Sequence, residues 1–438
     1  MTDVVRSGAG ALPEGEFVLL GIPDMNGSIR GKALRPDAFD AAVERGTVTT
    51  DLIIGLDPTD TPIEDYERFG IRTGAADMLV HADTDTIHEL TWRPGWRVCL
   101  ATPSWPDGSP CEFATREVSR SVLEDVRGLG YDVMSAIEYE IRIWDERGEP
   151  TSTGISYSLN EIARYDAFLA ALVPALEGLG IALSAVHTEA GPGLLELNIA
   201  AARGLRSADD AVLLKFGVKQ VAASMGLRAS FLAKTNPGEE GSSGHVHLSL
   251  WDGDTNAFAA AEPTAPVPPV FASSVAGLLE HLPAASLLLN PTLNSYKRLV
   301  PGWFAPINAT WGYENRSCAV RAIRSDRPEL WRLECRRPGA DANPYLALAA
   351  IAASAADGIR TDATPPHDVV GDAYSLADLP ELPGSLESAI RAFDEDATLK
   401  KALGDGFSHY YLTSRLWELK AWRQTVTDWE RERYERSV

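Results

Sequence analysis

Alternation of apolar and polar positions is clearest in SAIEYEIRIW, Ser135 to Trp144, which predicts a strand with Ile137, Tyr139 and Ile141 on one face. Glu138, Glu140 and Arg142 then share the other face. Upstream, Val118, Val122, Val126 and Leu129 recur at helical spacing, and the helix stops at Gly128 to Gly130. The same helix-then-strand order repeats in YDAFLAALVPALEGLG followed by IALSAVHTE. It returns in SADDAVLLKFGVKQVAASMG followed by RASFLAK, where Ser207 and Asp210 read as a capping box. HTEAGPGLLELNI reads as two antiparallel strands around a Gly-Pro-Gly turn. AEPTAPVPPVF, Ala261 to Phe271, reads as a surface loop, and MTDVVRSGAGALPEGEF as a short flexible lead-in. The pattern predicts an α+β layered fold rather than a doubly wound one.

The sharpest break is ATPSWPDGSPCEF, Ala101 to Phe113, where turn formers cluster. It divides the chain into residues 1–108, rich in short strands around a turn at Asn26 and Gly27, and a larger part, 109–438.

Composition narrows the function classes. At 438 residues a sizeable core is expected, and with 45% apolar and 23% charged residues the chain reads as soluble and globular. No run approaches the ~18 uninterrupted apolar residues of a membrane span. The net charge of −22 opposes nucleic acid and anionic membranes and favours cationic partners, metals or amines. Cys99, Cys111, Cys318 and Cys335 lack CxxC spacing, and no secretion signal opens the chain, so a reducing cytoplasm is expected.

Candidate chemistry gathers in four stretches. The Glu138 and Glu140 face taken alone also fits a solvated strand surface. Glu189 and Glu196 flank the Gly191-Pro192-Gly193 turn, where a hairpin brings them close. EEGSSGHVHLSLW carries His245, His247 and Ser249 on one strand face behind a glycine-rich loop. LWRLECRRPGADANPYLALAA places Glu334 between Arg332 and Arg336, ahead of an Ala-rich core helix. Carboxylates with one imidazole suit Mg²⁺ or Mn²⁺ better than zinc. Arg298, Arg316 and Arg321 nearby match carboxylate or phosphate oxygens, which points to phosphoryl transfer involving an anionic substrate.

In order, EYE, HTEAGPGLLE, GSSGHVHLSL, NPTLNSYKRLVPG, ENRSCAVR and RLECRRPGADANPYLALAA resemble the glutamine synthetase family, from about Gly130 to Ala350. The resemblance implies a small N-terminal β-grasp domain and a larger catalytic domain on a curved antiparallel sheet. It also implies homo-oligomeric rings, dodecamers most commonly, with active sites between subunits. Glu140, Glu189 and Glu196 look like ligands of one metal, and Glu138, His245 and Glu334 like ligands of another that bridges ATP, with two or three Mg²⁺ or Mn²⁺ in all. Arg298 and Arg336 correspond to groups that hold glutamate's carboxylates, with Gly241 at its amino end. Arg316 resembles the arginine that neutralises the transferring phosphoryl group, and Arg321, Arg332, His247 and Ser249 match nucleotide-side positions. The implied substrates are glutamate, ATP and a small amine, joined through γ-glutamyl phosphate.

Two departures shift the expected acceptor. In ammonia-using members a glutamate stands where PGWFAP has Phe304, and TTDLIIGLD replaces an Asp-Gly-Ser-Ser element, leaving Asp51 or Asp57 as substitute acids. A phenyl ring accepts no proton but does contact carbon. The ending VTDWERERY also resembles the γ-glutamyl-amine ligase branch, so an organic amine, preferably a monoamine, is the expected acceptor. A true glutamine synthetase and a non-catalytic ring-forming member are the alternatives. Tyr374, followed by Ser375, sits in a segment resembling the regulatory tyrosine loop of some bacterial members, but nucleotidylation is not expected there.

Overall fold

The computed structural model describes residues 16–260, 262 and 265–438; most of the expected lead-in lies outside them. The hairpin of Val18–Pro23 and Ile29–Leu34 turns at Gly27, whose φ of 76° suits a residue without a Cβ. The helix Pro36–Arg45 follows, and Arg97–Ser104 returns parallel beside Val18–Pro23, giving the β-grasp order of a hairpin, a helix and a closing parallel strand. Asp77–Ala82 and Thr47–Thr50 complete that side of the six-stranded sheet.

A ten-stranded sheet carries the chemistry. Its order runs Trp311–Tyr313, Val320–Ile323, Arg332–Cys335, Gly244–Asp252, Asp132–Trp144, Leu194–Ile199 and Leu183–Thr188. All neighbours are antiparallel except the first pair. Asp132–Trp144 is the long central strand, and its register sets His245 opposite Glu138 and Glu196 opposite Glu140. Ile137, Ile141 and Ile143 point the other way into the core and are at most 2% exposed. A slip of one residue would exchange the two faces, so the apolar face fixes where the carboxylates point.

Two local expectations fail. The helix Arg206–Ser224 begins with Leu205 already in helical conformation (φ −67°, ψ −25°), so it has no extended cap residue and no capping box. Ser207 instead bonds Gly204 O at 3.2 Å and Ser135, and Asp210 pairs with Arg206. The Pro-rich segment is a loop only to Pro268: the helix Pro269–Leu289 starts with a proline at its first position, where no N–H is needed. Phe271 is fully buried there against Phe258 and Trp331.

That 21-residue helix is apolar and long enough to cross a bilayer, yet it is mostly buried against Pro344–Arg360. The two cross closely because a Cβ on Gly277 would meet Ser354 O at 2.1 Å and one on Gly358 would meet Ser273 O at 2.0 Å. Asn343 caps the second helix by accepting from the N–H groups of Tyr345 and Leu346. At the other end, His281 lies between Asp357 (3.0 Å) and Asp396 (2.7 Å), tying three helical segments together. The main core runs without interruption from Ile54 and Phe69 near the smaller sheet to the long helix Asp405–Gln424. Tyr410 of that helix packs on Tyr66 at 4.9 Å and Phe113 at 5.0 Å between ring centres.

Candidate active site

A cleft of about 810 Å³ opens over the polar face of the ten-stranded sheet. Glu138, Glu140, Glu189, Glu196, His245, Glu334, Gly241, Arg298, Phe304, Arg316, Arg321, Arg332 and Arg336 all line it. His247 and Ser249 share the His245 strand but do not line the cleft. His247 turns its Nε2 to Glu138 at 2.8 Å, and Ser249 Oγ accepts from Trp251 Nε1.

Two groups of ligand atoms gather within the cleft. Glu138, His245 and Glu334 each present one atom within 4.8 Å of the others. His245 Nδ1 is 3.4 Å from Glu334 and 3.9 Å from Glu138, while its Nε2 is buried without a hydrogen-bond partner. Burial pushes the Glu138 carboxyl up, but the His247 and His245 rings outweigh it and hold the group far below the usual range. Glu334 is held at about 2, because Arg336, His247 and His245 overcome its burial. Both acids are therefore ionised and ready to ligate.

The second group is His187, Glu189 and Glu196. His187 reaches Glu189 with Nδ1 at 3.1 Å and Glu196 with Nε2 at 3.0 Å. Burial works against its protonation, but the bonds to both acids raise it to about 10. Glu140, expected in this group, is drawn instead to the Ser243 N–H at 2.8 Å. Desolvation beneath the Ser243 loop raises its carboxyl. Asn198 Nδ2 further orients Glu196 at 2.8 Å. The carboxylate oxygens of both groups, with the unpartnered His245 nitrogen in the first, fit divalent cations such as Mg²⁺ or Mn²⁺, whereas His187 in its protonated form bridges Glu189 and Glu196 rather than ligating.

The arginines fall into two sets. Arg336 bonds Glu334 and donates from Nε to Arg316 O at 3.1 Å; Arg321 bonds Glu334 at 2.9 Å and also Glu314. Arg332 donates to His247 Nδ1 at 3.1 Å. Arg298 and Arg316 are freer. Arg298 is buried, with Nη2 donating to Arg337 O at 2.5 Å and Nε unpartnered, and Arg316 is exposed; neither has a carboxylate partner among the described residues. Gly241 is obligatory where it stands, since a Cβ would come within 2.3 Å of Arg298 Cγ and 2.6 Å of Ala233 O.

Phe304 has φ 52° and is 55% exposed beside Trp303 at the cleft rim. It also lines an adjoining cavity of about 610 Å³ with Arg316 and Tyr374, whose hydroxyl is buried and unpartnered. Asp51 and Asp57 line no part of this chain's cleft: Asp51 accepts from Thr73, and Asp57 from Thr59 and Thr61. Sequence reasoning missed His187, though HTE sets it two residues before Glu189 on one strand face. It also missed Tyr157, stacked on His187 at 4.3 Å, and Glu240, which burial and repulsion from Glu140 and Glu189 push up to about 7. No local pattern around either residue pointed to the cleft.

Residues 112–434 match the glutamine synthetase catalytic domain. The chain is 34% identical to the γ-glutamylethanolamide synthetase GlnA4 of Streptomyces coelicolor, covering 95% of this chain and 91% of that one. It is 31% identical to a glutamate–isopropylamine ligase of a Pseudomonas species (96% and 95% covered) and 32% identical to the glutamine synthetase of Thermotoga maritima (95% and 96%). A solved GmaS–ADP complex superposes with a TM-score of 0.87 at 28% identity, covering 99% of this chain and all of that one. With this cleft and these matches, the chain belongs to the glutamine synthetase family of ligases.

Proposed function

We propose that this ligase joins the γ-carboxylate of glutamate to a short organic monoamine at the expense of ATP. The observation that carries the reading is Phe304, an exposed ring on the cleft rim where ammonia-using members resembling this chain have a carboxylate. A ring there offers contact to carbon and no charge to bind a bare ammonium ion. The named amine ligases among its relatives support the same direction.

Glu138, His245 and Glu334 would hold one cation, and Glu189 and Glu196 with Glu140 beside them another; bound there, the ions would neutralise phosphate oxygens. Arg298 and Arg336 hold the glutamate carboxylate, and Gly241 leaves room for its amino end. A γ-carboxylate oxygen attacks the γ-phosphorus of ATP and ADP leaves, while Arg316, lacking a carboxylate partner, meets the charge of the transferring phosphoryl group. The amine nitrogen then attacks the γ-carbonyl carbon, and phosphate leaves. Glu240, a carboxyl outside both groups of ligand atoms that burial and repulsion from Glu140 and Glu189 push up to about 7, draws in the amine as its ammonium form and takes the proton that must leave nitrogen before it attacks; the proton then departs with the released phosphate or to solvent.

The deciding experiment is phosphate release with Mg²⁺ or Mn²⁺, ATP and glutamate, comparing ammonium with ethanolamine, isopropylamine, a diamine, a polyamine and an aniline. Turnover with a monoamine at least about tenfold above ammonium is expected. Faster turnover with ammonium would make the chain a glutamine synthetase, and silence across the panel would favour a non-catalytic member.

A further inference from the structure

A separate cavity of about 740 Å³ lies where the hairpin loop at Asp24 to Ser28 meets the helix Arg206–Ser224 and the strand Arg228–Ser230. It shares no lining residue with the cleft. Its size falls in the ~300–1,000 Å³ range of small-molecule sites.

Its walls are cationic in a chain with 62 acidic and 40 basic residues. Arg30 is matched by Asp24 at 2.8 Å, but Lys215, Lys219, Arg228 and Arg415 have no carboxylate partner among the described residues. Lys215 is 6% exposed and donates to the carbonyls of Ala340 (2.7 Å) and Ala342 (3.0 Å). Arg228 lies over Trp144 at 4.5 Å, Lys219 over Phe231 at 5.7 Å, and Arg415 donates to Pro291 O at 2.7 Å, Ser414 Oγ at 3.1 Å and Asn26 Oδ1 at 3.3 Å. Against these four stand Asp341, with one oxygen accepting from Thr292 and Ser295 and the other buried without a partner, and Asp24, whose carboxylate already accepts from Arg30 and from the N–H groups of Asn26 and Ser28. Two further donors on the wall, Asn26 Nδ2 and Thr235 Oγ1, are buried with no hydrogen-bond partner. Cations lining one cavity without a carboxylate partner are costly unless an anion meets them.

We propose that this cavity binds a small dianion, a dicarboxylate or a phosphate, as an effector of glutamate use. The wall is mechanically joined to the cleft. Ala340, whose carbonyl Lys215 holds, donates its N–H to Ser242 O beside Gly241, at 3.0 Å. Asp341 holds Ser295, in the same short turn, Ser295–Arg298, as the cleft arginine. An anion that draws Lys215 from these carbonyls shifts the loop that carries Gly241 and the turn that carries Arg298.

The proposal stands apart from the choice of acceptor, because its first readout needs no turnover. Calorimetric titration of the full chain with inorganic phosphate and with succinate is expected to show binding by at least one. Lys219→Gln and Arg228→Gln should each weaken it by about tenfold or more, as loss of a charged hydrogen bond does. Arg316→Gln, in the cleft, should leave in place the binding event that Lys219→Gln and Arg228→Gln weaken. Trp144 emission should shift on binding and stay constant in Arg228→Gln. The KM for glutamate should move with the bound anion. Binding lost in Arg316→Gln but kept in the other two variants would place the anion in the cleft and overturn the site. Absence of binding by both probes overturns it equally, and binding that leaves the KM unchanged overturns the effector role.

Discussion

Arg142 and Glu239 meet at 2.7 Å across the wall of the cleft, the arginine only 1% exposed. The same guanidinium donates to the carbonyls of Pro192 and Glu240, so one side chain on the Glu138 and Glu140 strand pins both the hairpin turn and the glycine-rich loop. Arg142→Met should therefore lower kcat/KM for glutamate by about 10–100-fold in steady-state phosphate release. Arg142→Lys should recover only part, because a point charge cannot serve three acceptors in fixed directions.

Gly241→Ala tests the close approach to Arg298. A methyl group 2.3 Å from Arg298 Cγ and 2.6 Å from a carbonyl oxygen must displace one of them. The expected cost is about 1–3 kcal/mol in denaturant unfolding, with a larger proportional loss of glutamate affinity.

Metal binding is read most cleanly as a difference in melting temperature with and without Mn²⁺. Wild-type protein should gain about 2–3 kcal/mol at a hundredfold excess over Kd. Glu334→Gln should lose more than half of that gain. Its absolute stability also changes, because Arg321 and Arg336 lose a partner, so only the difference is diagnostic.

The His281 triad gives the fold a pH signature. Burial lowers the ring, but bonds to Asp396 and Asp357 raise it from 6.5 to about 9. Its contribution is complete below pH 6.5 and is lost as pH rises through 9. Asp396 shifts downward from 3.8, since the His281 bond outweighs burial, so its share is lost as pH falls below that value. His281→Gln should cost about 3 kcal/mol near pH 6, and the deficit should shrink towards pH 10 in urea unfolding series.

Phe304→Glu should invert acceptor choice. Ammonium turnover is expected to rise and monoamine kcat/KM to fall, each by about tenfold, measured side by side on one preparation. An unchanged ratio would remove Phe304 from the specificity argument.

Much of this was readable from residue spacing. Period-two alternation placed Glu138, Glu140 and Arg142 on one face because the buried isoleucines allow no other register. The Gly-Pro-Gly turn announced the hairpin that brings Glu189 and Glu196 to one imidazole. What failed were local start signals overridden by context. Ser207 looks like a cap, but the chain enters its helix already wound, and the prolines before Phe271 open a helix as readily as they end a loop. Glu140's bond to Ser243 and the cationic cavity arise from segments about a hundred or more residues apart, which no short window contains.

The Tyr410 contacts with Tyr66 and Phe113 also order events in time. A ribosome that has released residues 1–400 has made every strand of both sheets, yet Tyr66 and Phe113 still lack their aromatic lid. Closing a contact 344 residues long is slow and entropically expensive. The nascent chain therefore waits for the helix Asp405–Gln424, and a message truncated shortly before Asp405 yields a protein with an open seam rather than a smaller enzyme.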